Sequence, residues 1–314
     1  MTPQLYVVKY VMKKPDVACA IFLATIVLIS LYSGYVINGI IVSNKPPVIQ
    51  FKIGTTIRDI TYGNSQTLDL YIPNATNGGS FPIVMYVHGG GMTSGDKEDL
   101  NPVFLDTLAL AGYAVASINY RLAPRYNYPA QIQDVKCAIR YLRNSAQAYG
   151  LNGSEIFAFG TSVGGELVNI AALTGSNSQF DVGPYVNQSS SLKAVVDMFG
   201  PANLTETSSG WSSSGILQVF GNNRDGITEA SPVNFIAANS PPILIVQGVN
   251  DTKVFQSQSI ELYNDLHAAG DQTQLILVNN MGHMFAQVGP EPINPSLEQI
   301  AYEMVSFFNQ YKQT

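Results

Sequence analysis

Residues Ile156 to Val168 read IFAFGTSVGGELV. The opening IFAF is apolar without alternation, the pattern of a strand buried on both faces, and the closing stretch carries helical spacing. Between them stands Gly160-Thr161-Ser162-Val163-Gly164, a G-x-S-x-G at a strand-to-helix junction. So sharp a turn forces the serine into a strained conformation with its hydroxyl exposed, and Gly160 and Gly164 flank it because a Cβ there would clash across the turn. Ser162 is therefore the candidate nucleophile, and the helix that follows points its positive end at an anion developing there.

The same grammar extends in both directions. LDLYIP from Leu68, PIVMYVHG from Pro82, YAVASINY from Tyr113, LKAVVDMFG from Leu192, PPILIVQG from Pro241 and TQLILVNN from Thr273 all read as strands. Helical patterns lie between them. The clearest covers Pro129 to Tyr149, where Ile132, Val135, Ile139, Leu142 and Ala146 make one apolar stripe and Gly150 ends the run. Strands alternating with helices predict an α/β fold with a mostly parallel central sheet covered by helices on both faces. Ligands then bind at the carboxyl ends of the strands, so each chemical group should follow a strand.

His88-Gly89-Gly90-Gly91 meets that demand after PIVMYV. Three glycines let backbone N–H groups converge on one point and stabilise a tetrahedral oxyanion. Gly90, Gly91 and Val163 are the expected donors, with His88 and Gly89 supporting the loop. The base follows by elimination, since the chain has three histidines. His88 belongs to the glycine loop and His267 to an amphipathic helix, whereas His283 follows the strand TQLILVNN and is freed by Gly282 to turn into the cleft. The acid that holds its other nitrogen should end the preceding strand. Asp251 does so, while Asp265 and Asp271 lie within or after the next helix. The chain order Ser, Asp, His is that of the α/β-hydrolases.

With these residues in place the sequence resembles the alpha/beta-hydrolase-3 esterases, the group related to hormone-sensitive lipase. It looks nearest to the branch without a large cap, which includes feruloyl-esterase-like and kynurenine-formamidase-like enzymes. The resemblance rests on YVHGGGMTSGDK from Tyr86, NYRLAP from Asn119, YPAQIQDVKCAIRYLRNSAQAYGL from Tyr128, GTSVGGELV from Gly160, MFGPANL from Met198, SPVNFI from Ser231, PPILIVQGVNDTKV from Pro241 and MGHMF from Met281. It implies the same triad, Ser162, Asp251 and His283, with the Gly90–Gly91 backbone as oxyanion hole. Three positions depart from the family pattern. Val163 stands where Ala is common, Phe255 where Pro usually follows the acid, and Glu166 where a neutral residue or His is commoner. Only about 30 residues separate the first proline-rich linker from the glycine-loop strand, too few for a large cap. The lid candidate is Leu204 to Asn234, which holds the sole tryptophan, Trp211.

The N-terminus reads differently. Val17 to Ile37 carries no charge, and about 20 apolar residues suffice to cross a bilayer. Residues 1–16 are expected as a short cytoplasmic tail, 17–42 as a transmembrane anchor, 43–50 as a linker and 51–314 as one catalytic domain, with a cleaved secretory signal as the alternative to the anchor. Lys9, Lys13 and Lys14 before the span put the N-terminus inside and the enzyme outside. Four N-x-S/T sequons, at Asn74, Asn152, Asn187 and Asn203, fall on that outer side. The two cysteines, Cys19 and Cys137, cannot build a disulfide framework. A net charge of −6 without basic runs gives no footprint for nucleic acid.

The sequence thus predicts a membrane-anchored serine carboxylesterase acting on a small-molecule ester, with no metal or organic cofactor. The alternatives are an amidase, formamidase or peptidase on the same three residues, or a non-catalytic binding protein on this fold.

Overall fold

The computed structural model describes residues 52–74, 80–175, 177–206, 210 and 212–313. The expected membrane span and Trp211 lie outside the described residues. Among the described residues no helix is long and apolar enough to cross a membrane.

Among the described residues eight strands form one sheet: β1 Ile53–Thr61, β2 Thr67–Pro73, β3 Phe81–Val87, β4 Ala114–Ile118, β5 Leu151–Thr161, β6 Val195–Met198, β7 Ile243–Gly248 and β8 Thr273–Val278. Their order is β1-β2-β4-β3-β5-β6-β7-β8. The β1–β2 and β2–β4 pairings are antiparallel, and every pairing from β4 through β3 to β8 is parallel. The central strands are continuous apolar runs because both their faces are covered. Along β5, Ile156 and Ala158 face one cluster while Phe157 and Phe159 face the other.

Among the described residues there are seven α-helices: α1 Pro102–Leu110, α2 Ala130–Ser145, α3 Val163–Leu173, α6 Gln256–Ala268 and α7 Leu297–Tyr311 pack on the sheet, while α4 Ser213–Phe220 and α5 Arg224–Glu229 pack on each other in the connection after β6. Helices α2, α3 and α6 bury Ile132, Ile139, Leu167 and Leu262 in one cluster. Helices α1 and α7 bury Phe104, Leu108, Ile300, Met304 and Phe308 in the other.

Two details differ from the sequence reading. β1 carries no strand signal of its own, because it is an edge strand whose residues are mostly exposed and so lack an apolar run. The α2 stripe is buried as expected, but the helix also buries Lys136 and Arg140. The Lys136 ammonium donates to the carbonyls of Thr174, Asn177 and Gln179, and Arg140 pairs with Asp181 and donates to Val182 O at 2.6 Å. These cations supply donors to a crossover that has no ladder of its own, and so are buried because they are paired. Gly150 takes φ 69 after the closing 3-10 turn, Ala146–Tyr149.

Candidate active site

The turn from β5 into α3 is wedged by backbone on every side. Ser162 adopts φ 54, ψ −125 as the residue capping α3, and its own N–H donates to Met198 O at 2.9 Å. A Cβ on Gly160 would collide with the Gly164 carbonyl, and one on Gly164 with the Val87 carbonyl. Only glycine fits at either place, so the strain on Ser162 is enforced by its neighbours.

β7 and β8 deliver the other two groups. Asp251 follows the end of β7 and is 4% exposed; its Oδ1 accepts from Lys253 N–H at 2.8 Å and Val254 N–H at 3.1 Å. His283 follows β8, with Nδ1 2.7 Å from Asp251 Oδ2 and Nε2 3.0 Å from Ser162 Oγ. A carboxylate can only accept, so Nδ1 carries the proton and Nε2 presents its lone pair to the serine hydroxyl. The three side chains make one hydrogen-bonded row at the carboxyl edge of the sheet. His267 and Asp265 are exposed on α6, and Asp271 accepts from Ser240 N–H at 2.9 Å, so none of these reaches the row.

The glycine loop crosses in front of Ser162. Gly90 and Gly91 take φ 99 and φ 60, and a Cβ on Gly90 would run into the Ser94 carbonyl. Among the described residues the N–H groups of Gly90, Gly91 and Val163 have no intramolecular acceptor. His88 is fully buried, stacks on Tyr120 with centroids 4.2 Å apart, and has Nδ1 2.8 Å from Gly89 O. The Tyr120 hydroxyl donates to both His88 O and Gly89 O, so this pair braces the loop from behind. Burial holds the His88 imidazole below its usual pKa, which keeps it neutral. Farther along, Lys97 pairs with Asp59 at 3.1 Å and Asp69 at 3.2 Å, tying the loop to the β1–β2 edge.

Glu166 lies on the first turn of α3, buried, and the Tyr120 and Tyr128 hydroxyls are both held above the usual tyrosine range by burial first and its charge second. Phe255 is 46% exposed and takes no part in the row. Among the described residues no group of three or more His, Cys, Asp or Glu is placed to hold a metal.

Residues 68–266 match the sequence model of the BD-FAE family, well over half of the chain. The chain belongs to the BD-FAE family. Esterase LipC of Mycobacterium tuberculosis is 26% identical to this BD-FAE chain over 264 residues, 81% of the chain and 64% of LipC. The probable carboxylic ester hydrolase LipM of the same organism is 28% identical over 220 residues, 67% of the chain and 51% of LipM. The chain therefore spans about half to two thirds of the length of these curated relatives. A truncated carbohydrate esterase from gut microbiota superposes with a TM-score of 0.72 at 28% identity, over 83% of this chain and 97% of that structure. An arylesterase at 20% identity and a TM-score of 0.66 shares the fold.

Above Ser162 the BD-FAE chain opens a cleft of about 320 Å³. Val163, Pro201 and Val254 line it with apolar surface next to Ser162 and His283, while Thr93, Ser212, Gln218 and Lys253 line it with polar groups. Gly210, Ser212, Gly215 and Gln218 come from the Leu204–Asn234 connection, so this segment does line the cleft. Asp197, Asn169 and Phe199 lie beneath the site and belong to no catalytic motif in the sequence. A charged residue inside the apolar run AVVDMFG was the available signal for the first of them.

Proposed function

We propose that this chain is a serine carboxylesterase for short-to-medium acyl esters. The observation that carries the reading is the hydrogen-bonded row Ser162–His283–Asp251 on the floor of the cleft. Ser162 Oγ attacks the ester carbonyl while His283 Nε2 takes its proton. The C–O bond to the alcohol then breaks, and His283 returns the proton to the leaving oxygen. Water, activated by the same nitrogen, releases the acid and restores Ser162. Asp251 holds the imidazole tautomer and stabilises the imidazolium, and the N–H groups of Gly90, Gly91 and Val163 receive the oxyanion.

The relatives named esterase and carboxylic ester hydrolase support an ester as substrate, and a 27% identical ethyl acetate hydrolase of Pseudomonas putida supports a short acyl group. So does the small apolar part of the cleft. A long chain has little wall to bury against, and each exposed CH₂ forgoes about 0.8 kcal/mol of binding. The polar walls suit a hydroxylated alcohol, as the likeness to a carbohydrate esterase supports.

A fluorophosphonate probe should label the wild type and leave Ser162→Ala unlabelled, with hydrolysis down by ~10³-fold or more; labelling that persists would mean another serine is the nucleophile. Across p-nitrophenyl esters, kcat/KM should peak at roughly C2 to C6. A maximum near C12, or faster turnover of N-formylkynurenine than of an acetylated sugar, would overturn the substrate class.

We propose further that residues 17–42 anchor the chain in a membrane with the hydrolase outside, from the charge-free run and the lysines before it. Protease added to intact cells should digest the catalytic domain without lysis; a protected domain would reverse the orientation.

A further inference from the structure

We infer that Asp197 and Phe199, at the end of β6, are positioning residues that couple the nucleophile helix α3 to the His283 imidazole; the inference rests on the roles of Ser162 and His283 proposed above. Asp197 is fully buried in a strand whose other residues are apolar. A carboxylate in such a place is costly unless its oxygens are occupied, and both are. Oδ2 accepts from Asn169 Nδ2 on α3 at 2.7 Å, and Oδ1 accepts from Gly200 N–H at 2.8 Å. The same oxygen packs against Gly165, where a Cβ would collide with it.

The bond to Gly200 closes a turn that holds Phe199 at φ 49. A bulky side chain rarely accepts that conformation, and glycine would take it without strain. An aromatic residue kept there must gain something from where its ring goes. The ring lies 5.2 Å from the His283 imidazole at 63° and 4.9 Å from Phe285 at 76°, an edge-on contact with each. Phe285 is itself at φ 61 and rests 5.3 Å from Phe104 on α1. The turn is also tied to both other catalytic strands: Phe199 N–H donates to Val246 O of β7 at 2.8 Å, and Met198 O receives the Ser162 N–H. Asn169, Asp197 and Phe199 thus form one chain of contacts from the helix that carries the nucleophile to the ring that must meet it.

Phe199 acts through the imidazole. Its removal should lower kcat and spare KM, since misplacing the base affects the transition state and leaves ground-state binding alone. In the full chain, labelling of Ser162 by fluorophosphonate in the wild type is the control; its absence would defeat the proposed function rather than this inference. Phe199→Leu and Asp197→Ala should each lower kcat and the labelling rate about tenfold, because small displacements of reacting groups are amplified, with KM within about twofold. Asp197→Asn, which can still accept from Gly200, should recover most of the loss. The double variant Phe199→Leu/Asp197→Ala should be no worse than the poorer single, because both break one turn. If Phe199→Leu does not fold, Phe199→Met carries the same test. Normal kcat in the folded singles, or losses that multiply to about a hundredfold in the double, would reduce the turn to core packing and overturn the inference.

Discussion

The floor and the wall of the cleft are held by different means. On the floor, Gly160 and Gly164 leave no room for a Cβ, and Thr161, Ser162 and Val163 are all buried. The Tyr86 hydroxyl meets Thr161 Oγ1 at 3.1 Å, and Asp197 fills the space under Gly165. On the wall, α4 is anchored by Val219 and Phe220 and by Tyr128 N–H donating to Val219 O, and the neighbouring α5 is held by the Tyr128 hydroxyl donating to Glu229 O at 2.7 Å. The outer side of α4 has no such support: Leu217 is 61% exposed, and Ser212 and Gln218 face solvent beside the cleft. The floor is closed by backbone collisions that no side-chain rotation relieves, which is the precision that the bond-making role proposed for Ser162 requires. The wall, for which substrate selection is the proposed role, has adaptable contacts that can change without moving the floor.

The largest effect should come from breaking the floor. Gly164→Ala puts a methyl group into the Val87 carbonyl, so either β3 or the elbow must move; activity should fall by ~10²-fold or more even in protein that stays folded, as measured by kcat on the native fraction. A variant with near-normal kcat would show that the elbow yields as easily as the wall.

A middle effect is expected from Asp197. Burial raises its carboxyl to about 6 against the bonds from Asn169 and Gly200. The folded state therefore binds this proton more tightly than the unfolded chain does. The stability it gives is present below about pH 4 and lost as pH rises through about 6. The shift corresponds to about 3 kcal/mol at most. Asp197→Asn should then match the wild type near pH 4 and exceed its unfolding temperature at pH 7.5. Equal melting at both pH values would show that the buried charge is fully compensated.

The smallest effects distinguish floor from wall within the cleft itself. Val163→Ala, on the floor, should move the acyl optimum to longer chains. Gln218→Ala, on the wall, should change KM for a hydroxylated alcohol ester by a few-fold, leave the acyl optimum at the same chain length and leave stability within about 0.5 kcal/mol. A shifted acyl optimum in Gln218→Ala would place the acyl group on the wall.

Much of this was legible in order along the chain. The central strands announce themselves because burial on both faces demands unbroken apolar runs, and the elbow because its turn admits only small residues at fixed spacing. The candidates Ser162, Asp251 and His283 could be named because each follows such a strand, and their side chains meet in one hydrogen-bonded row. β1 was illegible, since an exposed antiparallel edge needs no apolar run. The burial of Lys136 and Arg140 was hidden too, because which carbonyls receive them depends on where the 174–184 crossover passes.

The sequence by itself determined the local chemistry: which residues can turn sharply, which can carry a proton and which strands are buried. Tertiary structure alone decided how these parts meet. Only folding brings Asn169 of α3 to Asp197 of β6, and Phe199 just after β6 to the His283 imidazole that follows β8. The same packing makes the Leu204–Asn234 connection a wall of the cleft. Propensity and pattern act over a few residues of chain, whereas these contacts join segments up to about 120 residues apart, and their energy exists only once the sheet has set the register between them.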